Sequence, residues 1–74
     1  MPNQNKQDRN TAIARNIRQA RRERGWAPYD LAEAVRCQGL AATVGDVARW
    51  ERGERIGTRT ERAIRRVLGL EVPS

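Results

Sequence analysis

Histidine and phenylalanine are missing from this sequence, and cysteine occurs once, at Cys37. A lone cysteine closes no intrachain disulfide. Without histidine it also has neither a zinc partner nor a base to activate it, so it reads as a small buried hydrophobe. The carboxylates are scattered, there is no glycine-rich phosphate loop, and 74 residues build one modest core rather than a walled active site. These absences argue against an enzyme, a bound metal or a cofactor, and no small-molecule ligand is expected. No apolar run approaches the roughly 20 residues of a membrane span, and the N-terminus carries no signal-peptide pattern. A cytoplasmic protein, with no membrane partner, is the expectation. The few aromatic residues, Trp26, Tyr29 and Trp50, offer little to build the stacking platforms of single-stranded RNA readers.

Positive charge, by contrast, is abundant. Lys and Arg number 15 against 9 Asp and Glu, for a net charge of +6 and an isoelectric point near 11.2. That balance points to a polyanion. All the cations except Lys6 are arginines, which suits forked contacts to phosphates and bases and also fits a GC-rich coding bias.

Helical periodicity runs through the chain, with no strand pattern, internal repeat, low-complexity tract or linker. MPNQNKQDRN has no apolar period, so residues 1–9 are expected to form a disordered arm ahead of one domain over residues 10–72, with 73–74 as a tail. Lys6 and Arg9 make the arm either a solvated tail or an extension that touches DNA. Ile13, Ile17 and Ala20 mark a first helix from about Thr11 to Arg24, stopped by Gly25. Pro28 opens a second helix, to about Gln38, that buries Leu31, Ala32, Ala34 and Val35, with Trp26 stapled to Leu31. Its cap position holds Ala27, which offers no side-chain acceptor to the first amides and leaves them open to a phosphate or to water. Leu40 is the expected anchor of the connection that follows. Thr58 and Glu61 suggest a capping box for a fourth helix, whose buried stripe is Ile64, Val67 and Leu68 beside Ala63.

The third helix, about Val44–Arg52, is the most informative stretch. Thr43 is its N-cap, Asp46 is placed to reach back in a capping box, and Gly53 is its stop. Val47, Trp50 and Glu51 fall on one side, and Gly45, Arg49 and Arg52 fall on the other. The second side has the forked donors and the close backbone approach that major-groove reading needs, and it would also serve as an ordinary solvated face. Arg21 continues the buried line of Ile13 and Ile17, so it needs a partner, and Glu51 is the acid on a core face. The two are expected to pair.

A short second helix, a connection and a third helix with a basic outer face amount to a helix-turn-helix. The segments IRQARRERGW, Leu31–Ala32, VARWERGER and RRVLGL, with R-x-x-x-G at Arg21–Gly25 and E-x-G at Glu51–Gly53, resemble the Cro/repressor-type (XRE) helix-turn-helix family. The resemblance covers Ile13 to Leu70 and implies an all-α bundle of four to five helices. It also implies the Arg21–Glu51 pair and a recognition helix that enters the major groove. Carried onto this chain, the base readers are Val44, Gly45, Ala48 and Arg49. The phosphate contacts are Tyr29, Arg52, Arg55, Thr58 and Arg59, with the minor groove open to Arg59 instead. Two departures stand out: Ala27 replaces the usual small polar cap, and the turn between the second and third helices is longer than in the shortest members, as in an actinobacterial variant.

The expected function is a sequence-specific, Cro-like regulator that binds double-stranded DNA at a pseudo-palindromic operator. A DNA-binding antitoxin or excisionase-like factor and an arginine-rich module that binds RNA or protein are the alternatives. With only Leu70–Ser74 after Gly69, a weak homodimer formed mainly on DNA through Leu70, Val72 and Pro73 is expected.

Overall fold

Caps and turn glycines set most of the helix ends: Thr43 precedes the third helix, and glycines at positive φ follow the first, third and fourth. The computed structural model describes residues 5–70. Among them are four helices, α1 (Asn5–Glu23), α2 (Pro28–Arg36), α3 (Val44–Glu51) and α4 (Thr58–Leu68), and no strand. The class is all-α. Helices α3 and α4 each pack against both α1 and α2, so the core lies where the four meet.

The core takes Ile13, Ile17 and Ala20 from α1, Leu31, Ala32 and Val35 from α2, Val47 and Trp50 from α3, and Ala63, Ile64 and Leu68 from α4. Ile17, Leu31, Val35, Val47 and Ile64 are fully buried, each contributing about 1.5–3 kcal/mol by leaving water. Trp26, Leu40, Ile56, Val67 and Leu70 pack around this centre, half-buried. The connection after α2 is pinned chiefly by Ala42, which is buried, with Leu40 at the core's edge. Arg36 reinforces it by donating from Nη1 to the Ala42 carbonyl at 2.7 Å.

Four details differ from the sequence expectation. Helix α1 starts at Asn5 rather than near Thr11, and residues 1–4 of the expected arm lie outside the described residues. Extending an existing helix adds one hydrogen bond for each residue fixed, no glycine or proline interrupts Asn5–Thr11, and Arg9 comes within 3.7 Å of the Glu61 carboxylate on α4. Cys37 is exposed, not buried. It caps the C-terminus of α2 two places after Val35, about 200° round the helix from the buried face. The N-cap of α4 is Gly57, and no side chain bonds there. Thr58 therefore lies inside the helix, and the Glu61 carboxylate accepts from Arg65 Nε at 3.0 Å instead of closing a capping box. Ala34 on α2 and Val67 on α4 are only half-buried; on α2, Leu31, Ala32 and Val35 already fill the inner face of this short helix.

The Arg21–Glu51 pair forms as the two periodicities require. Arg21 Nε donates to Glu51 Oε2 at 2.6 Å and Nη2 donates to Oε1 at 3.0 Å, while Nη1 donates to the Trp26 carbonyl at 2.8 Å. Hydrogen bonding to Glu51, more than the opposing effect of burial, pushes the Arg21 guanidinium further above its usual range. One side chain thus ties the end of α1, the turn before α2 and the end of α3 together.

Candidate nucleic-acid interface

The geometry of the interface starts at the N-terminus of α3. Thr43 Oγ1 accepts the Asp46 amide at 3.1 Å, and Asp46 Oδ2 accepts the Thr43 amide at 3.0 Å, which closes the expected capping box. Gly53, at φ +92°, stands at the other end in the left-handed region where a side chain would be strained. Between these stops Val47 and Trp50 point into the core, and Val44, Gly45, Ala48, Arg49 and Arg52 are exposed. All four expected base readers therefore share the outer side of one rigid helix. A Cβ added at Gly45 would meet only Thr43 Oγ1, at 3.6 Å. The glycine is thus not demanded by packing within the chain.

The two arginines on this face have acidic neighbours that the sequence reading did not pair with them. Arg49 Nη1 donates to Asp46 Oδ1 at 2.9 Å, and Arg52 Nη2 donates to Glu54 Oε2 at 2.8 Å. The i,i+3 spacing of Asp46 and Arg49 on a predicted helix was the available signal for the first pair. Arg52 caps the helix, so Glu54 meets it around the turn, where helical spacing gives no guide.

Past α3 the chain turns with Ile56 tucked inward, while Arg55, Thr58 and Arg59 are exposed. Neither Arg55 nor Arg59 makes a hydrogen bond or ion pair with a described residue. Arg55 and Thr58 line a cleft together with Arg9 and Asn10 of α1 and Glu61 of α4. A second cleft, lined by Arg15 and Arg18 of α1 and by Glu51, Arg52 and Gly53, brings the basic side of α1 up to the C-terminus of α3, with Arg18 Nε 4.0 Å from Glu51 Oε1.

Tyr29 is 55% exposed in the first turn of α2, with the Arg36 guanidinium 5.6 Å from its ring. Asp30 Oδ2 accepts the Ala27 amide at 2.8 Å, which completes half of a capping box that the Ala27 methyl cannot return. The start of α2 is thus better satisfied than Ala27 alone suggested, although no side chain caps its first-turn amides. Leu70 packs against the chain's own core, which reduces what it can offer a second copy. Val72 and Pro73 lie outside the described residues.

No protein-family model, curated protein or solved structure matches this chain. Among the described residues, no helix is long and apolar enough to cross a membrane.

Proposed function

We propose that this chain is a sequence-specific, double-stranded DNA-binding regulator of the Cro/repressor type, with α3 as its recognition helix. One observation carries the reading. The outer side of α3 gathers Val44, Gly45, Ala48, Arg49 and Arg52 on a helix whose other side is locked into the core by Val47, Trp50 and the Arg21–Glu51 bridge. In this reading the Arg49 fork donates to guanine O6 and N7, and the Val44 and Ala48 methyls meet thymine methyls. Gly45 lets the backbone come close to the base edges. Tyr29, Arg52, Arg55, Thr58 and Arg59 hold the phosphates and set the register. Arg52 exchanges Glu54 for a phosphate at small cost, since their side chains are 64% and 50% exposed and such surface pairs are worth about 0–1 kcal/mol.

The protein acts in the cytoplasm on DNA, without catalysis, cofactor or small-molecule ligand. Two copies occupy one pseudo-palindromic operator. The contact between them is weak, because Leu70 is already engaged by its own core, and adjacent half-sites supply the local concentration that makes it cooperative.

Selection of duplexes from a random pool, with a single-stranded RNA pool in parallel, tests this reading. The expected result is a consensus of two half-sites related by a dyad and about one helical turn apart, each with a strongly preferred guanine. Recovery of unrelated duplexes, or enrichment from the RNA pool alone, overturns it.

A further inference from the structure

Asp46 makes two sets of contacts at once. One carboxylate oxygen, Oδ2, is held by the Thr43 amide at 3.0 Å, and its own amide is held by Thr43 Oγ1 at 3.1 Å. The carboxylate is thereby fixed to the backbone by the cap and is not free to swing. Its other oxygen, Oδ1, accepts from Arg49 Nη1 at 2.9 Å. A long, exposed arginine has many rotamers, and holding one of them against a fixed acceptor removes that freedom before any partner arrives. The contact occupies one N–H of the five on the guanidinium and leaves the rest of the fork for a guanine edge. It also ties Arg49 to Asp46, in the first turn of α3.

From this geometry we infer that Asp46 is a positioning residue for sequence reading, which orients the Arg49 guanidinium and at the same time lowers the helix's attraction for DNA of any sequence. The inference rests on the DNA-binding reading above and deepens it. Its electrostatic half follows from charge. An acid in the first turn of the helix offsets the cation beside it, so this end of α3 gains little from phosphates in general, and binding depends more on whether Arg49 meets its base. Sequence preference then rises while overall affinity falls. A purely structural cap does not predict those opposite signs.

Asp46→Asn tests this. The amide oxygen of asparagine can still accept the Thr43 amide, so the cap is retained, but the charged contact to Arg49 is lost. Thr43→Ala is the control, since it removes the cap hydroxyl and leaves the Asp46–Arg49 pair. Binding of each variant to the selected duplex and to a scrambled duplex is measured at one low salt concentration, together with the melting temperature. For Asp46→Asn the expected result is tighter binding to the scrambled duplex. Its ratio of selected to scrambled affinity should be lower by about fivefold to tenfold, the low end of what one forked base contact discriminates. For Thr43→Ala the melting temperature drops and the ratio stays put. A wild-type ratio in Asp46→Asn overturns the inference while leaving the DNA reading intact. So does an equal loss on both duplexes that tracks the melting temperature, and so does a rise in the ratio, which would mean that Asp46 withholds Arg49 rather than aiming it. If the wild-type chain prefers no duplex at all, the DNA reading itself fails, and the inference fails with it.

Discussion

Replacing Glu51 with alanine removes two acceptors from a guanidinium that has little access to water. In the wild type, Arg21 Nε and Nη2 reach the two carboxylate oxygens at 2.6 and 3.0 Å, and both side chains are 11% exposed. The third contact, from Nη1 to the Trp26 carbonyl at 2.8 Å, survives the substitution and keeps the cation where nothing now compensates it. Breaking a buried pair from one side costs about 3–5 kcal/mol, and the residual solvent access puts this case near 3. A domain of this size holds roughly 4–11 kcal/mol in all. At about 4–8 °C per kcal/mol, the melting temperature should fall by roughly 12–24 °C. Far-UV circular dichroism, followed on heating and in urea, measures both quantities. The double change of Arg21→Met with Glu51→Leu removes the stranded charge and fills the space, so it should recover most of the loss. The pH dependence has a definite sign. Because the guanidinium is pushed above its usual range when folded, its contribution persists across neutral pH and is lost only as pH climbs through that raised value in strong alkali. The arginine therefore gives the Glu51→Ala deficit no slope between about pH 6 and pH 9. A melting temperature unchanged within error in Glu51→Ala would refute the reasoning, as would a double variant no more stable than the single one.

Three further outcomes test the interface. Arg49→Ala should cost roughly 1–3 kcal/mol on the selected duplex and relax preference at one base pair, whereas Arg55→Ala should weaken all duplexes alike and lower the salt slope by about 1. Equal losses on specific and scrambled DNA in Arg49→Ala remove its reading role. Gly45→Ala separates fold from function. The added methyl has room and alanine favours a helix over glycine by up to about 1 kcal/mol, so stability should hold or rise while DNA affinity falls. Unchanged affinity shows that the backbone does not approach the bases there. Sedimentation at micromolar concentration should find mostly monomer, and a titration of footprinted DNA should saturate at two copies per site. A stable free dimer contradicts the weak, DNA-driven pairing proposed above.

Much of this architecture is legible in the sequence where a local signal and a long-range need coincide. Helix α3 is the best case, because Thr43, Asp46 and Gly53 mark its ends while Val47 and Trp50 mark its face. The Arg21–Glu51 bridge is legible because each residue falls on a buried line and neither can remain there alone. The start of α1 is not, since Asn5–Asn10 carries no apolar period and its helix is an extension of a segment anchored further on. Glu61 shows why a motif can mislead. The Thr58–Glu61 spacing fits a capping box, but the carboxylate has Arg65 one turn away, and a glycine already occupies the cap position. Cys37 is not legible, because residue type points to burial whereas its angular position round α2 faces solvent. At the interface, the exposed side of α3 could be read directly. The Asp46–Arg49 pair has a signal in its i,i+3 spacing, whereas Glu54 meets Arg52 through a turn, where helical spacing gives no guide.

The separation of the two sides of α3 has a consequence for how such a protein changes over generations. Val44, Gly45, Ala48 and Arg49 share no side chain with the set that anchors the helix, Val47, Trp50 and Glu51. If α3 reads DNA as proposed, drift in the first set alters the address recognised without requiring the interior to be rebuilt, and a change in the second set endangers every address at once. Target preference can therefore diverge quickly among descendants of one ancestor while the scaffold stays nearly constant. The letters of the exposed side are the part that such descendants are least expected to share.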